Sequence, residues 1–96
     1  MKMTNDDQPR FLLSQIVATP GAMALLLQAN VDALTLLRRH VCGDWGMVPR
    51  EDAMANDEAL LTGARVLSSY DVGGKKIWII TEADRRVTTM LLPSEY

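Results

Sequence analysis

The hydrophobic positions of this chain change period part-way along it. Met23, Leu26 and Leu27, then Leu34, Leu37 and Val41, recur at helical spacing, whereas the apolar runs between Val66 and Leu92 are short and strand-like. The punctuation supports that division. Thr19-Pro20 predicts a helix start, because a threonine oxygen accepts from the free amides of a first turn and proline there forfeits no hydrogen bond. Asn30 suits the left-handed residue that closes such a helix. Asp32 is placed to cap a second one, with Arg38, Arg39 and His40 crowding a last turn where positive charge complements the helix dipole, before Gly43 stops it. A third helix is expected from Pro49 to about Gly63, with Asn56-Asp57 a point at which it could divide. Phe11 to Val17 fits a short strand or an initial helix, and the helix is expected.

Gly73-Gly74 lies between two strand-like runs, and paired glycines supply the positive φ that a two-residue hairpin turn requires. Counting outward sets Asp71 opposite Lys76, Tyr70 opposite Ile77, Ser69 opposite Trp78, Leu67 opposite Ile80 and Arg65 opposite Glu82. Two opposite-charge pairs then face each other, and a slip of one residue would lose both. In this register Val66, Ser68, Tyr70, Ile77, Ile79 and Thr81 share one face. Leu67, Ser69, Trp78 and Ile80 share the other, and one of the two faces is expected to be covered by helices, its opposite partly covered or used in an interface. A third strand, Thr88 to Leu92, is expected to end the sheet as an edge. The fold class is therefore α+β, with N-terminal short helices followed by a three-stranded antiparallel β-meander.

Length adds that 96 residues form one core, assigned here to residues 10–96 behind a disordered leader at 1–9. No apolar run approaches the ~20 residues of a membrane helix, so the chain is expected to be soluble and to have no membrane partner. Cys42 and His40 are the single cysteine and histidine. They give no disulfide and too few ligands for a zinc site, and neither a metal nor a cofactor is expected. The net charge of −2 argues against a nucleic-acid partner, although the basic doublets Arg38-Arg39, Lys75-Lys76 and Arg85-Arg86 leave a local patch open.

The segments Ala18-Thr19-Pro20-Gly21-Ala22, His40-Val41-Cys42-Gly43-Asp44-Trp45-Gly46 and Ile77-Trp78-Ile79-Ile80-Thr81-Glu82-Ala83-Asp84-Arg85 together carry a resemblance. They are similar to an uncharacterised family of small bacterial proteins encoded on plasmids, prophages and integrated mobile elements, from Leu12 onward. What the resemblance implies is a bacterial cytoplasmic setting and a mobile-element context. The order of helices and sheet also resembles, by architecture alone, the compact ribonuclease toxins grouped around barnase, colicin and RelE-like folds.

Two functions are weighed on these residues. The first is a small, non-enzymatic protein-interaction module that binds a protein partner or itself as a homo-oligomer. Its contact candidates are Trp45, Arg85, Arg86, Thr88 and Thr89, because a tryptophan in a loop beside arginines fits the composition of binding hot spots. The alternative is a ribonuclease-like or nucleic-acid-binding domain using His40, Arg85, Arg86 and Thr88. There His40 would be the general base and Asp44 its orienting carboxylate. Each has a plainer role available: His40 as a dipole partner, Asp44 as a loop clamp, the arginines as salt-bridged loop residues. Ser68, Ser69 and Cys42 read as ordinary strand or buried residues, and Trp78 as core.

Overall fold

A computed structural model describes residues 8–96; residues 1–7, most of the expected leader, lie outside the described part. The elements run β1 (Gln15–Ala18), α1 (Pro20–Ala29), α2 (Ala33–Val41), α3 (Arg50–Thr62), β2 (Val66–Val72), β3 (Lys75–Thr81), β4 (Val87–Leu91) and a C-terminal 3-10 turn, Pro93–Glu95. The α+β class holds, but the sheet has four strands in the order β1-β4-β3-β2. No described helix is long and apolar enough to cross a membrane.

The helix ends follow the expected chemistry. Thr19 Oγ1 accepts from Ala22 N at 3.1 Å, and Asn30 closes α1 at φ 57°. Asp32 Oδ1 accepts from Leu34 N at 3.0 Å to open α2. Gly63, at φ 83°, ends α3, which runs unbroken through Asn56-Asp57. The helices turn inward a side that coincides only in part with the sequence pattern, sharing Leu26 and Leu37 with it. Ala22, Leu25 and Leu26 of α1 and Leu36, Leu37 and His40 of α2 are buried, while Met23, Leu27 and Leu34 are exposed.

The hairpin register appears pair by pair, from Val72↔Lys75 through Asp71↔Lys76 to Leu67↔Ile80. The ladder stops at Val66↔Thr81, one step short of Arg65 and Glu82, and the Arg65 guanidinium turns to donate to the Tyr96 hydroxyl at 2.9 Å. Two expectations are corrected. Phe11 to Val17 is not a helix: residues 15–18 form β1, parallel to β4, with Gln15 N donating to Arg86 O and Thr19 N to Met90 O, both at 3.0 Å. β-branched Ile16 and Val17 just ahead of a helix-opening proline favour that extended form. Consequently β4 lies inside the sheet between β1 and β3, and the edges are β1 and β2.

The face holding Val66, Ser68, Tyr70, Ile77, Ile79 and Thr81 is fully buried and carries the main core, in which Leu25, Leu26, Leu36 and Leu37 pack on Tyr70, Ile77, Ile79 and Met90. A smaller cluster joins Trp45, Ala59 and Val66, flanked by Phe11, Val48, Ala53 and Leu60. On the opposite face Ile80 and Leu91 are buried but Trp78 is only half-buried, its ring edge-on to Tyr96 at 5.6 Å between centroids. Among the described residues no α-helix packs on that face, which is why Trp78 falls short of core burial. The terminal turn over it is clasped by Glu95. Its carboxylate accepts from Thr19 Oγ1 at 2.5 Å, Leu92 N at 2.8 Å and Gly21 N at 3.2 Å. These three donors hold the Glu95 carboxyl below its usual pKa.

Candidate interaction surface

The two residues with the strongest catalytic credentials in the sequence do not form an open site. His40, on the last turn of α2, is 0% exposed. Its Nδ1 lies 2.6 Å from Ser68 Oγ and its Nε2 2.9 Å from Thr81 Oγ1, which in turn lies 2.8 Å from Thr88 Oγ1. All four side chains are buried, and each finds a partner. Burial, with a smaller contribution from the Arg85 charge, pushes the imidazole pKa down to about 4, so the ring is neutral and donates from one nitrogen while accepting at the other. Phe11 and Trp45 close over it edge-on, at 5.4 and 5.9 Å between centroids. With both nitrogens occupied and no exposed atom, His40 is positioned as a structural link from α2 to three strands.

Asp44 does not orient His40. It pairs with Arg39 at 2.7 Å and accepts from Gly46 N at 3.2 Å, so it clamps its own loop. The pairing lowers the Asp44 pKa and raises that of Arg39. Arg85 stands near enough to His40 for its charge to act there, but its guanidinium lies over Phe11, 5.2 Å from the ring centroid. It donates to Ala64 O at 2.7 Å and Ala59 O at 3.1 Å, clipping the carbonyl end of α3, and adopts φ 63° to do so. Arg85 is thus spent on backbone.

The contact candidates separate in the same way. Trp45 is 6% exposed, with Nε1 donating to Asp57 Oδ1 at 2.9 Å, and Thr88 belongs to the buried hydroxyl chain; neither reaches the surface. Gly46 is what lets the tryptophan loop in: at φ +75° its backbone lies so close to β2 that a Cβ would sit 2.0 Å from Ser69 O. Arg86 is exposed and Thr89 half-buried on the helix-free face. The five candidates do not converge on one patch.

The edges of the sheet point elsewhere. Along β2 the outward groups of Leu67 and Ser69 are covered by the chain itself. Ser69 N donates to Trp45 O at 3.0 Å, Met47 N donates to Ser69 O at 2.6 Å, and the Asn56 amide gives Nδ2 to Leu67 O at 2.7 Å while its Oδ1 accepts from Leu67 N at 3.1 Å. One side chain thereby acts as a neighbouring strand. Along β1 the odd residues turn their amides to β4, which leaves the backbone groups of Ile16 and Ala18 facing outward. Among the described residues no strand pairs with them.

Beside that open edge lie two apolar grooves. One, of about 350 Å³, runs between Ile16 and Leu34, Leu37 and Arg38. The other, of about 440 Å³, runs between Ala18 and Met23, Leu26, Leu27 and Asp32. Leu27 is 81% and Leu34 63% exposed. The stretch from Phe11 to Val31 contains no Asp, Glu, Lys or Arg, so this edge lacks the charge with which sheet proteins usually block strand pairing. The sequence reading passed over this surface; its available signal was that uncharged run.

Comparison with family models, with curated proteins and with solved structures found no match.

Proposed function

We propose that the chain is a small, non-enzymatic protein-interaction module whose contact surface is the β1 edge with the apolar flank that α1 and α2 lay beside it. The observation that carries this reading is the asymmetry of the sheet: β2 is covered at Leu67 and Ser69 by Asn56 and the Trp45–Met47 segment, while among the described residues β1 keeps free backbone groups next to exposed Met23, Leu27 and Leu34. Strand addition supplies main-chain hydrogen bonds, and apolar grooves at its side supply affinity. The reading transfers the contact from the Arg85-Arg86 loop and the third strand of the meander to β1. It does not retain the ribonuclease alternative, because its base would be the enclosed His40. A bacterial cytoplasmic location and a mobile-element context are proposed on the family resemblance alone.

The test is photo-crosslinking in cells from benzoylphenylalanine installed at Leu27, at Leu34 or, as control, at Leu61 on the exposed side of α3. Protein adducts from the first two positions and none from the third are expected. Absence of any adduct from the β1 flank would defeat the proposal.

A further inference from the structure

Resting on that reading, we infer that the occupant of the β1 edge is a second copy of this chain, paired antiparallel about a two-fold axis through Val17. The outward residues decide the register. Ile16 and Ala18 both present an N–H and a C=O, and centring the axis on Val17 sets Ile16 against Ala18 of the second copy and Ala18 against its Ile16. Four backbone hydrogen bonds form, and the two Val17 residues become a non-hydrogen-bonded pair, whose Cα atoms sit about 4.5 Å apart. The two sheets join into one.

An axis of this kind stands perpendicular to the sheet, so both helical layers lie on the same side and meet over the new ladder. A four-residue strand alone buries too little for a stable pair, since interfaces of that kind cover about 800 Å² per partner. The exposed Met23, Leu27 and Leu34 supply the missing apolar area. Charge placement agrees with a self-complementary contact. Arg38 lines the groove at the Ile16 end and Asp32 the groove at the Ala18 end. Reversing the second strand brings the Arg38 end of each copy toward the Asp32 end of the other, whereas a parallel arrangement would set like charge against like.

The experiment combines mass in solution with a geometric crosslink. Sedimentation equilibrium of the full chain is expected to give twice 10.6 kDa. Ile16→Pro removes an outward N–H that the monomer's own ladder does not use; it is expected to return the chain to monomer with its far-UV spectrum intact. In a Cys42→Ser background, Val17→Cys is expected to form an intermolecular disulfide under mild oxidation, and Leu61→Cys is not. A chain that stays monomeric at about 1 mM overturns the inference. So does a dimer that ignores Ile16→Pro and gives no Val17→Cys disulfide, because it uses another surface. A monomer whose Leu34 position still crosslinks to a different protein rejects the second copy and upholds the module; a monomer without any crosslink rejects both.

Discussion

Replacing Asn56 with alanine pits tertiary structure against local preference. The Asn56 side chain is 5% exposed and makes two hydrogen bonds to the backbone of Leu67, at 2.7 and 3.1 Å. Each such bond contributes about 1 kcal/mol net, and the Leu67 groups left behind lose their partners beside a half-buried strand. Against this, alanine is the better helix former by roughly 0.5 kcal/mol at a position inside α3. The balance is a loss of about 2 kcal/mol, which for a domain of this size lowers the melting midpoint by roughly 10 °C. Urea titration followed by far-UV circular dichroism, with thermal melts alongside, measures it. The aspartate variant sharpens the reading. Asn56→Asp keeps the acceptor for Leu67 N but sets a carboxylate against Leu67 O, so it should be at least as damaging at neutral pH and partly relieved in acid, where the protonated group can donate again. An unchanged or raised stability in Asn56→Ala would mean that β2's edge is not held by this amide, and that helix propensity alone governs the site.

Three further outcomes are expected. His40 has a folded-state pKa of about 4 against about 6.5 unfolded, so its contribution is complete above pH 6.5 and is lost as pH falls toward 4, by about 3 kcal/mol; ring titration by NMR that gave a midpoint near 6.5 would contradict the burial argument. Gly21→Ala would ordinarily favour a helix, yet its Cβ would lie 2.5 Å from Glu95 Oε2 and 2.8 Å from Leu92 Cδ1. It should therefore loosen the terminal turn and red-shift the emission of Trp78, and an unchanged spectrum with unchanged amide exchange at residues 93–96 would count against the clasp. Gly46→Ala, driven onto Ser69 O at a positive φ, should cost more than about 2 kcal/mol and expose Trp45 to quenchers, and full retention of its melting point would refute the close approach.

The hairpin was legible because two independent signals, the glycine pair and the facing charges, agreed on one register. β1 was not, since a four-residue strand gains its identity from β4, a partner roughly seventy residues away in sequence, and nothing local records that pairing. The phase of α1 failed for a different reason. Met23 to Leu27 is apolar almost all round, so periodicity could not tell the core side from the other, and the surplus leucines belong to a second surface. A tryptophan between two glycines looked like a contact residue; Gly46 instead brings the loop against β2, and Asp57 takes the indole N–H. The His40 network left one trace. Ser68 and Thr81 both fell on one face of the hairpin, and if helices cover that face its two hydroxyls require a polar group from the covering layer.

That chain of Ser68, His40, Thr81 and Thr88 has a consequence for how the core is specified. Leucines and isoleucines interlock in many ways of similar energy, and α1, apolar on nearly every side, imposes no rotation of its own. The imidazole works as a key. It fits only when α2 presents one azimuth and β2, β3 and β4 are aligned to within a residue, since any other alignment strands a polar group in hydrocarbon. Adhesion in this small domain thus comes from its aliphatic residues and uniqueness from four polar ones. The histidine whose chemistry suggested catalysis serves instead to exclude every near-native arrangement but one.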